Sequence, residues 1–241
     1  MELIEKILSN TSLWEVVALI IVIYLLFRPD IINRITKFKI GDFEMELTEL
    51  KKDIKEGKEK ISELEVEIEN EKRQFQELLN KFDAAAPLSV LSSVRQTLKS
   101  QSRNISDIDV YRKLLTKNST PEELYGVAVS VREKRPTELF PNIVSLLDDL
   151  AEDQNLGGFR LNTIWTLTSS IHKILISCVR DGLVPFPKDE DLDNAEKTLK
   201  KLEKHPKVIA DRPDDPMKGI RGPIKHSMTW IQKAREKKNN A

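Results

Sequence analysis

The most apolar stretch of the chain lies near its amino end, in residues 12–28, SLWEVVALIIVIYLLFR. Twelve of these residues in a row are uncharged, and the S-x-x-E spacing at the start is typical of a capping box that begins a helix. Seventeen residues in a helix cover roughly 25 Å, slightly less than a hydrocarbon core of about 30 Å. The pattern predicts one short transmembrane helix; the alternative is a buried helix of a soluble domain.

The charges on either side of this segment predict its orientation. Lys6 is the only Lys or Arg before it, and four basic residues follow it closely: Arg28, Arg34, Lys37 and Lys39. Because Lys and Arg are enriched on cytoplasmic flanks, we expect residues 1–11 outside and the rest of the chain in the cytoplasm. The single cysteine, Cys178, agrees with a reducing compartment. The predicted localisation is the cell inner membrane, as a single-pass protein.

Residues 29–47 form a juxtamembrane segment in which apolar and polar residues alternate. In residues 37–47, KFKIGDFEMEL, a two-residue turn at Gly41 and Asp42 would pair apolar residues on one face and Lys with Glu on the other. We therefore expect a β-hairpin. The alternative is a helix in which Gly41 and Asp42 form only a kink.

From residue 47 to residue 83 the apolar residues follow a heptad repeat. Ile predominates at position a and Leu at position d, which favours two parallel strands. In two chains in register, oppositely charged g and e residues would meet in four pairs: Glu46–Lys51, Asp53–Lys58, Lys60–Glu65 and Glu67–Lys72. The sequence predicts a homodimer or higher homo-oligomer through Leu50, Ile54, Ile61, Leu64, Ile68, Phe75 and Leu78. Gly57 and Glu71 would weaken two d layers, and a single solvated helix or an intramolecular hairpin is the alternative.

Residues 84–241 have the pattern of a cytosolic helical domain. Thr120 and Glu123 predict a capping box at the start of one helix. Residues 159–180 are apolar on nearly every side and predict the central buried helix, with Gly182 as its C-terminal cap. The predicted fold class is therefore all-α, with a single transmembrane helix, a short juxtamembrane β-hairpin, a parallel coiled coil and a C-terminal helical bundle domain.

Composition narrows the possible functions. The 241 residues contain 39 basic and 39 acidic side chains, so that the formal net charge is zero, which disfavours a general nucleic-acid binder. The chain has no phosphate-binding loop, no dinucleotide fingerprint, no nucleophile elbow and no metal-ligand spacing. We therefore predict no cofactor, no metal site and no enzymatic activity. The three histidines, His172, His205 and His226, are far apart in sequence and are interpreted as structural.

One basic segment near the carboxyl end could bind an anion. Pro223 is expected to begin the last helix, and the N-terminus of a helix attracts negative charge. Glycines and cations surround this point, and the predicted ligand-binding residues are Lys218, Arg221, Lys225 and His226. An ordinary basic loop accounts for this pattern; the alternative is a site for a phosphate-bearing ligand, such as a nucleotide signal or RNA.

The spacing of Arg221 and His226 resembles the R-x4-6-H pattern of the HEPN ribonucleases, in which an Arg and a His act on RNA. The resemblance covers six residues. It implies an all-helical domain that acts on RNA. Glycine and proline follow Arg221 where that family usually has a polar residue within a helix.

The sequence thus predicts a membrane protein that self-associates through a coiled coil and binds an unidentified cytosolic protein or a small anionic ligand. Its layout is that of membrane effectors of phage-defence systems, which suggests a role in bacterial defence or stress. The alternative is an RNA-acting or nucleotide-binding helical domain tethered to the membrane.

Overall fold

The computed structural model of the chain describes Val17, Tyr24 and residues 29–240. Nine α-helices are complete within 29–240, and this part of the chain contains no strand. They are α1 Pro29–Leu79, α2 Leu88–Asn104, α3 Ile108–Leu114, α4 Pro121–Lys134, α5 Phe140–Glu152, α6 Leu161–Arg180, α7 Asp189–Glu203, α8 Pro206–Ile209 and α9 Arg221–Asn239. Short 3-10 turns precede α5, α6 and α9.

The expected transmembrane architecture is corrected by these helices. None of the helices in the described part of the chain is both long and apolar enough to cross a bilayer. The longest, α1, is rich in charged residues, and the buried helix α6 contains Lys173, Arg180 and six Ser and Thr residues. The predicted membrane-spanning fold class and single-pass inner-membrane localisation are therefore not retained. The segments predicted as a span and an external N-terminus, residues 12–28 and 1–11, lie outside the described residues except for Val17 and Tyr24.

The predicted β-hairpin is wrong, because residues 37–47 are part of the continuous helix α1. A two-stranded hairpin alone is marginally stable in water. Gly41 and Asp42 each cost a helix interior about 1 kcal/mol or less, which a helix of 51 residues can tolerate. The alternative of a helix that runs through Gly41 and Asp42 agrees with the structure.

The chain divides into two compact units, one that ends at Leu64 and one that begins at Glu65. In the first unit, the described residues from 29 onwards belong to α1. The second unit contains the last part of α1 and all other helices. It therefore begins within the segment predicted as coiled coil.

Helix α6 is the central buried helix of the second unit, as the sequence predicts. It packs against α4, α5 and α9, and α7 packs against α5 and α9. The end of α1 also belongs to this core, because Phe75 and Leu79 are each only 1% exposed. The Phe75 ring meets the edge of the Tyr111 ring with centroids 5.8 Å apart. Gly126 on α4 allows Leu79 to pack closely, since a side chain there would overlap the Leu79 methyl group.

Two local signals at helix ends are confirmed. At the start of α4, the Glu123 amide donates to the Thr120 hydroxyl over 3.2 Å, and the Thr120 amide donates to the Glu123 carboxylate over 2.8 Å. After α6, Gly182 has a φ of 72°, and the next amide, that of Leu183, donates to the Ser177 carbonyl oxygen. This left-handed residue ends α6 in the way expected for a C-terminal glycine cap.

Candidate functional site

Four of the seven predicted oligomerisation residues form an exposed row on α1. The exposed fractions are 56% for Leu50, 50% for Ile54, 57% for Ile61 and 56% for Leu64. We call these four residues the apolar stripe. It extends roughly 21 Å along α1, at about 1.5 Å per residue. Gly57 lies within it and faces open space.

Two ion pairs of the described part of α1 lie near the apolar stripe, and neither involves a residue that is predicted to attract a second chain. Those ion pairs join Lys52 to Glu56 and Lys55 to Glu59, with N–O distances of 3.9 and 3.8 Å. The residues at the g and e positions beside the stripe that are predicted to attract a second chain are Asp53, Lys58, Lys60 and Glu65. These four side chains are exposed.

The other three predicted oligomerisation residues lie within the second unit. Phe75 is buried, and Ile68 and Leu78 are half-buried. The Glu71 carboxylate, expected to weaken a coiled-coil layer, instead accepts hydrogen bonds from the amide and hydroxyl of Ser106, at 3.2 and 3.3 Å.

Lys72, expected to attract Glu67 of a second chain, instead pairs with Asp107 over 2.8 Å. This hydrogen bond holds the pKa of Asp107 below its usual value. The heptad pattern therefore has two uses, since its first half is exposed and its second half packs within the chain.

The predicted anion-binding residues surround the start of α9, which lies at Arg221, two residues before Pro223. The Asp211 carboxylate accepts a hydrogen bond of 2.8 Å from the Ile220 amide at this helix start. A carboxylate of the chain itself thus lies beside the helix start where an anionic ligand is predicted. Lys218 is exposed and pairs with Asp215 over 2.8 Å.

The remaining residues of that prediction lie in the first two turns of α9. Arg221 is half-buried, and Lys225 and His226 are exposed. The His226 ring stacks on His172 of α6, with centroids 5.2 Å apart and an angle of 21° between the rings. Arg221 and His226 both lie in α9.

The histidines were interpreted as structural residues far apart in the sequence, and the structure brings two of them together. Burial lowers the pKa of His172 to about 4, and the adjacent His226, Lys173 and Arg132 act in the same direction. His205 caps α8, where its ring accepts a hydrogen bond from the Lys207 amide at 3.2 Å. His205 is thus structural, as expected.

The sequence analysis missed a group of half-buried arginines beside α6: Arg95, Arg132 and Arg135, which we call the arginine row. Each arginine donates to a neutral side chain of α6. The donor–acceptor distances are 3.4 Å from Arg95 Nη2 to Asn162 Oδ1, 2.9 Å from Arg132 Nε to Ser169 Oγ, and 3.1 Å from Arg135 Nη1 to Ser177 Oγ. The partners are seven and eight residues apart, close to two helical turns, so they lie on one side of α6.

The arginines are near enough to one another to interact. Burial lowers the pKa of Arg132, and the positive charges of Arg95 and Arg135 lower it further, whereas Glu133 opposes them. Burial also lowers the pKa of Lys173 on α6, and the positive charges of Arg135 and Arg132 lower it further. The arginine row and Lys173 therefore form a cluster of like charges, which we call the cationic cluster.

A pocket of about 390 Å³ adjoins the arginine row. The start of α6 and the loop before α9 line it, with Arg160, Leu161, Asn162 and Trp165 from the former and Asp211, Arg212, Lys218 and Gly219 from the latter. The guanidinium carbon of Arg132 lies 5.0 Å from the centre of the Trp165 ring. The pocket thus joins one predicted ligand residue, Lys218, to the cluster that was missed.

Comparison of the chain with protein-family models, with curated proteins and with solved structures gives no match. Within the described residues, no group of three His, Cys, Asp or Glu side chains is arranged to hold a metal ion. The candidate sites are therefore the apolar stripe on α1 and the cationic cluster with its adjoining pocket.

Proposed function

We propose that this chain is a self-associating binding protein, in which two copies pair in parallel through the apolar stripe and each carries a helical binding domain. The observation that supports it is the row of four large apolar side chains, each at least half exposed, on one face of a charged helix. Scattered exposed apolar residues are ordinary, whereas a regular row at heptad spacing is what a second helix can cover. The second copy is favoured over another partner because the flanking charges complement themselves.

The size of the apolar stripe indicates a modest affinity. Complete burial of a Leu or Ile side chain contributes about 1.5–3 kcal/mol, so burial of the exposed half contributes about 1 kcal/mol. Eight such side chains in a dimer would contribute about 8 kcal/mol. Association costs at least about 4 kcal/mol in lost freedom of movement. We therefore expect a dimer that dissociates on dilution.

Sedimentation equilibrium of the full chain tests the proposal. Ile61→Asp places a charge in the apolar stripe and should shift the chain to monomers. Val66→Asp is the matched control, because Val66 is 60% exposed on the same helix but lies outside the stripe. Equal effects of the two substitutions, or a wild-type chain that is monomeric at every concentration, would contradict the proposal.

Charge reversal tests the parallel register. Lys60→Glu should weaken the dimer, because it would oppose Glu65 of the second copy, and the double variant with Glu65→Lys should restore it. Such pairs contribute a few tenths of a kcal/mol each at the surface, so the measurement is best made at low salt. No recovery in the double variant would argue against the parallel arrangement.

Action on RNA is a second candidate function, favoured by the stacking of His226 on His172 and by the location of Arg221 in the same helix as His226. Cleavage of a labelled RNA by the full chain, abolished in Arg221→Ala and His226→Ala variants of unchanged oligomeric state, would support it. Cleavage that persists in both variants would remove these residues from consideration.

A further inference from the structure

Among the residues that the structure describes, no carboxylate forms an ion pair with the cationic cluster. Arg95, Arg132, Arg135 and Lys173 are half-buried. The neighbouring carboxylates form their ion pairs with other cations, Glu133 with Lys99 and Arg103 of α2 and Asp181 with Arg180. Glu133 acts on Arg132 only through longer-range electrostatics. A group of half-buried like charges is unfavourable unless an opposite charge joins it. An anion would remove this cost.

The hydrogen bonds of the arginine row hold its side chains in position without neutralising them. Asn162, Ser169 and Ser177 carry no charge, so each orients a guanidinium group and leaves its charge available. Donor atoms also remain: Nε of Arg95, Nε of Arg135 and Nδ2 of Asn162 are buried and have no hydrogen-bond partner in the part of the chain that the structure describes. Positioned guanidinium groups with free N–H donors match the oxygens of a phosphate group.

The adjoining pocket adds an aromatic surface. Trp165 lines it together with three cationic residues, Arg160, Arg212 and Lys218. Its acidic residue, Asp211, already accepts the Ile220 amide. Trp165 is half-buried and the Arg132 guanidinium lies over its ring, so only the part of the ring that lines the pocket can contact a base. Such a contact contributes at most about 1–3 kcal/mol. The aromatic ring beside positive charges therefore favours a phosphate that carries a base over inorganic phosphate.

We propose that the arginine row binds successive phosphate groups of a nucleotide or a short strand, one base of which lies beside Trp165 in the adjoining pocket. The nucleotide is either free or part of a single strand, and both present the same chemistry. The zero net charge of the chain does not oppose this, because the cations are concentrated at one place. The site lies in the second unit and is independent of the proposed pairing through α1.

Fluorescence anisotropy of the full chain with a labelled single-stranded RNA of about twelve nucleotides tests the proposal. Unlabelled RNA, ATP, inorganic phosphate and polyglutamate serve as competitors. Arg132→Gln and Arg135→Gln should each weaken binding about tenfold, because each removes a charge-assisted hydrogen bond. Loss of one phosphate contact should also reduce the slope of log affinity against log salt by about 1.

Arg112→Gln is the matched control, since it removes the same charge from an exposed residue that pairs with Asp109 of its own helix, α3. It should change the affinity less than twofold, roughly the size expected for a remote surface charge. Ser177→Ala keeps every charge and removes only the hydrogen bond to Arg135, so it tests positioning if Arg135→Gln fails to fold. Circular dichroism of each variant confirms folding.

The competition results show whether the ligand is a free nucleotide or part of a strand. Competition by ATP as effective as by the RNA identifies a free nucleotide, and much stronger competition by the RNA identifies a strand; both support the proposal. It is overturned if neither binds, if polyglutamate competes as well as ATP, or if Arg112→Gln weakens binding as much as Arg132→Gln. Ile61→Asp should leave ATP binding per chain unchanged, so failure of self-association and failure of this site give different results.

Discussion

The location of Phe75 provides a direct test of how the heptad segment is used. The sequence places Phe75 at an a position of a coiled coil, whereas in the structure it is 1% exposed and packs on Tyr111 within the second unit. Phe75→Ala should therefore destabilise the second unit itself. Ile61→Ala is the matched substitution in the exposed half of the same repeat, where Ile61 is 57% exposed.

The expected effect follows from the burial of Phe75. Replacement of a fully buried Phe by Ala costs about 3–5 kcal/mol, because the cavity adds to the lost burial. For a unit of this size, about 2–4 °C of Tm is lost for each kcal/mol, so the Tm should fall by about 6–20 °C. Ile61→Ala should change the stability of this unit by less than about 0.5 kcal/mol, as other exposed substitutions do.

Near-ultraviolet circular dichroism during heating measures the tertiary unfolding of the full chain. The scan is repeated at protein concentrations about twentyfold apart, since unfolding coupled to dissociation depends on concentration. The decrease in Tm caused by Phe75→Ala should be the same at both protein concentrations. A Tm that falls equally in the two variants, or a Phe75→Ala effect that disappears at high concentration, would refute the assignment of Phe75 to the second unit.

Two further substitutions and one dependence on pH test local features of the second unit. Gly222→Ala should destabilise it by about 1–3 kcal/mol, measured by urea unfolding, because a methyl group there would overlap the Met217 carbonyl oxygen. Thr120→Ala should cost about 1 kcal/mol in the same assay, since the Glu123 amide at the start of α4 loses its acceptor. His172 should make stability depend on pH: its pKa is about 4 in the folded chain against 6.5 ordinarily, so the unfolded state binds a proton first as the pH falls through this window. Stability is complete above the higher value and should decrease by about 1–2 kcal/mol towards the lower one, allowing for partial exposure of the ring.

Each of these substitutions has a control within the chain. Gly57→Ala introduces the same methyl group into open space on α1 and should leave the second unit unaffected. Thr120→Ser keeps the hydroxyl acceptor and should retain the stability. His172→Gln should reduce the dependence of stability on pH between about 6.5 and 4. If the dependence of stability on pH were unchanged in His172→Gln, groups other than His172 would be its cause.

Most of the second unit could be predicted from short-range signals. The capping box of Thr120, the cap of Gly182 and the apolar helix α6 depend on neighbouring residues, whose effects are local. The hairpin at Gly41 and Asp42 could not be predicted correctly, because pairing along a ribbon competes with helix formation over a much longer segment. The twelve-residue uncharged run led to a membrane assignment, although runs of that length are more often core helices.

Of the two candidate sites, one could be predicted from the sequence pattern and the other could not. The apolar stripe could be predicted because its residues repeat along one helix. The arginine row could not, since Arg95 and Arg132 come from different helices and Arg135 is a left-handed residue just after α4. The available signal was the spacing of Asn162, Ser169 and Ser177, but α6 contains several other polar residues, so this spacing alone did not single them out.

The incorporation of the end of α1 into the core determines where the chain can be cut. A fragment that starts at Ala84 follows the visible break in the heptads but removes Phe75 and Leu79, and it leaves the ring of Tyr111 uncovered. Such a fragment should aggregate or bind hydrophobic dyes. A fragment that starts at Glu65 retains these side chains, so the shortest piece that expresses as a well-folded protein should begin about twenty residues earlier than the proline-marked boundary suggests.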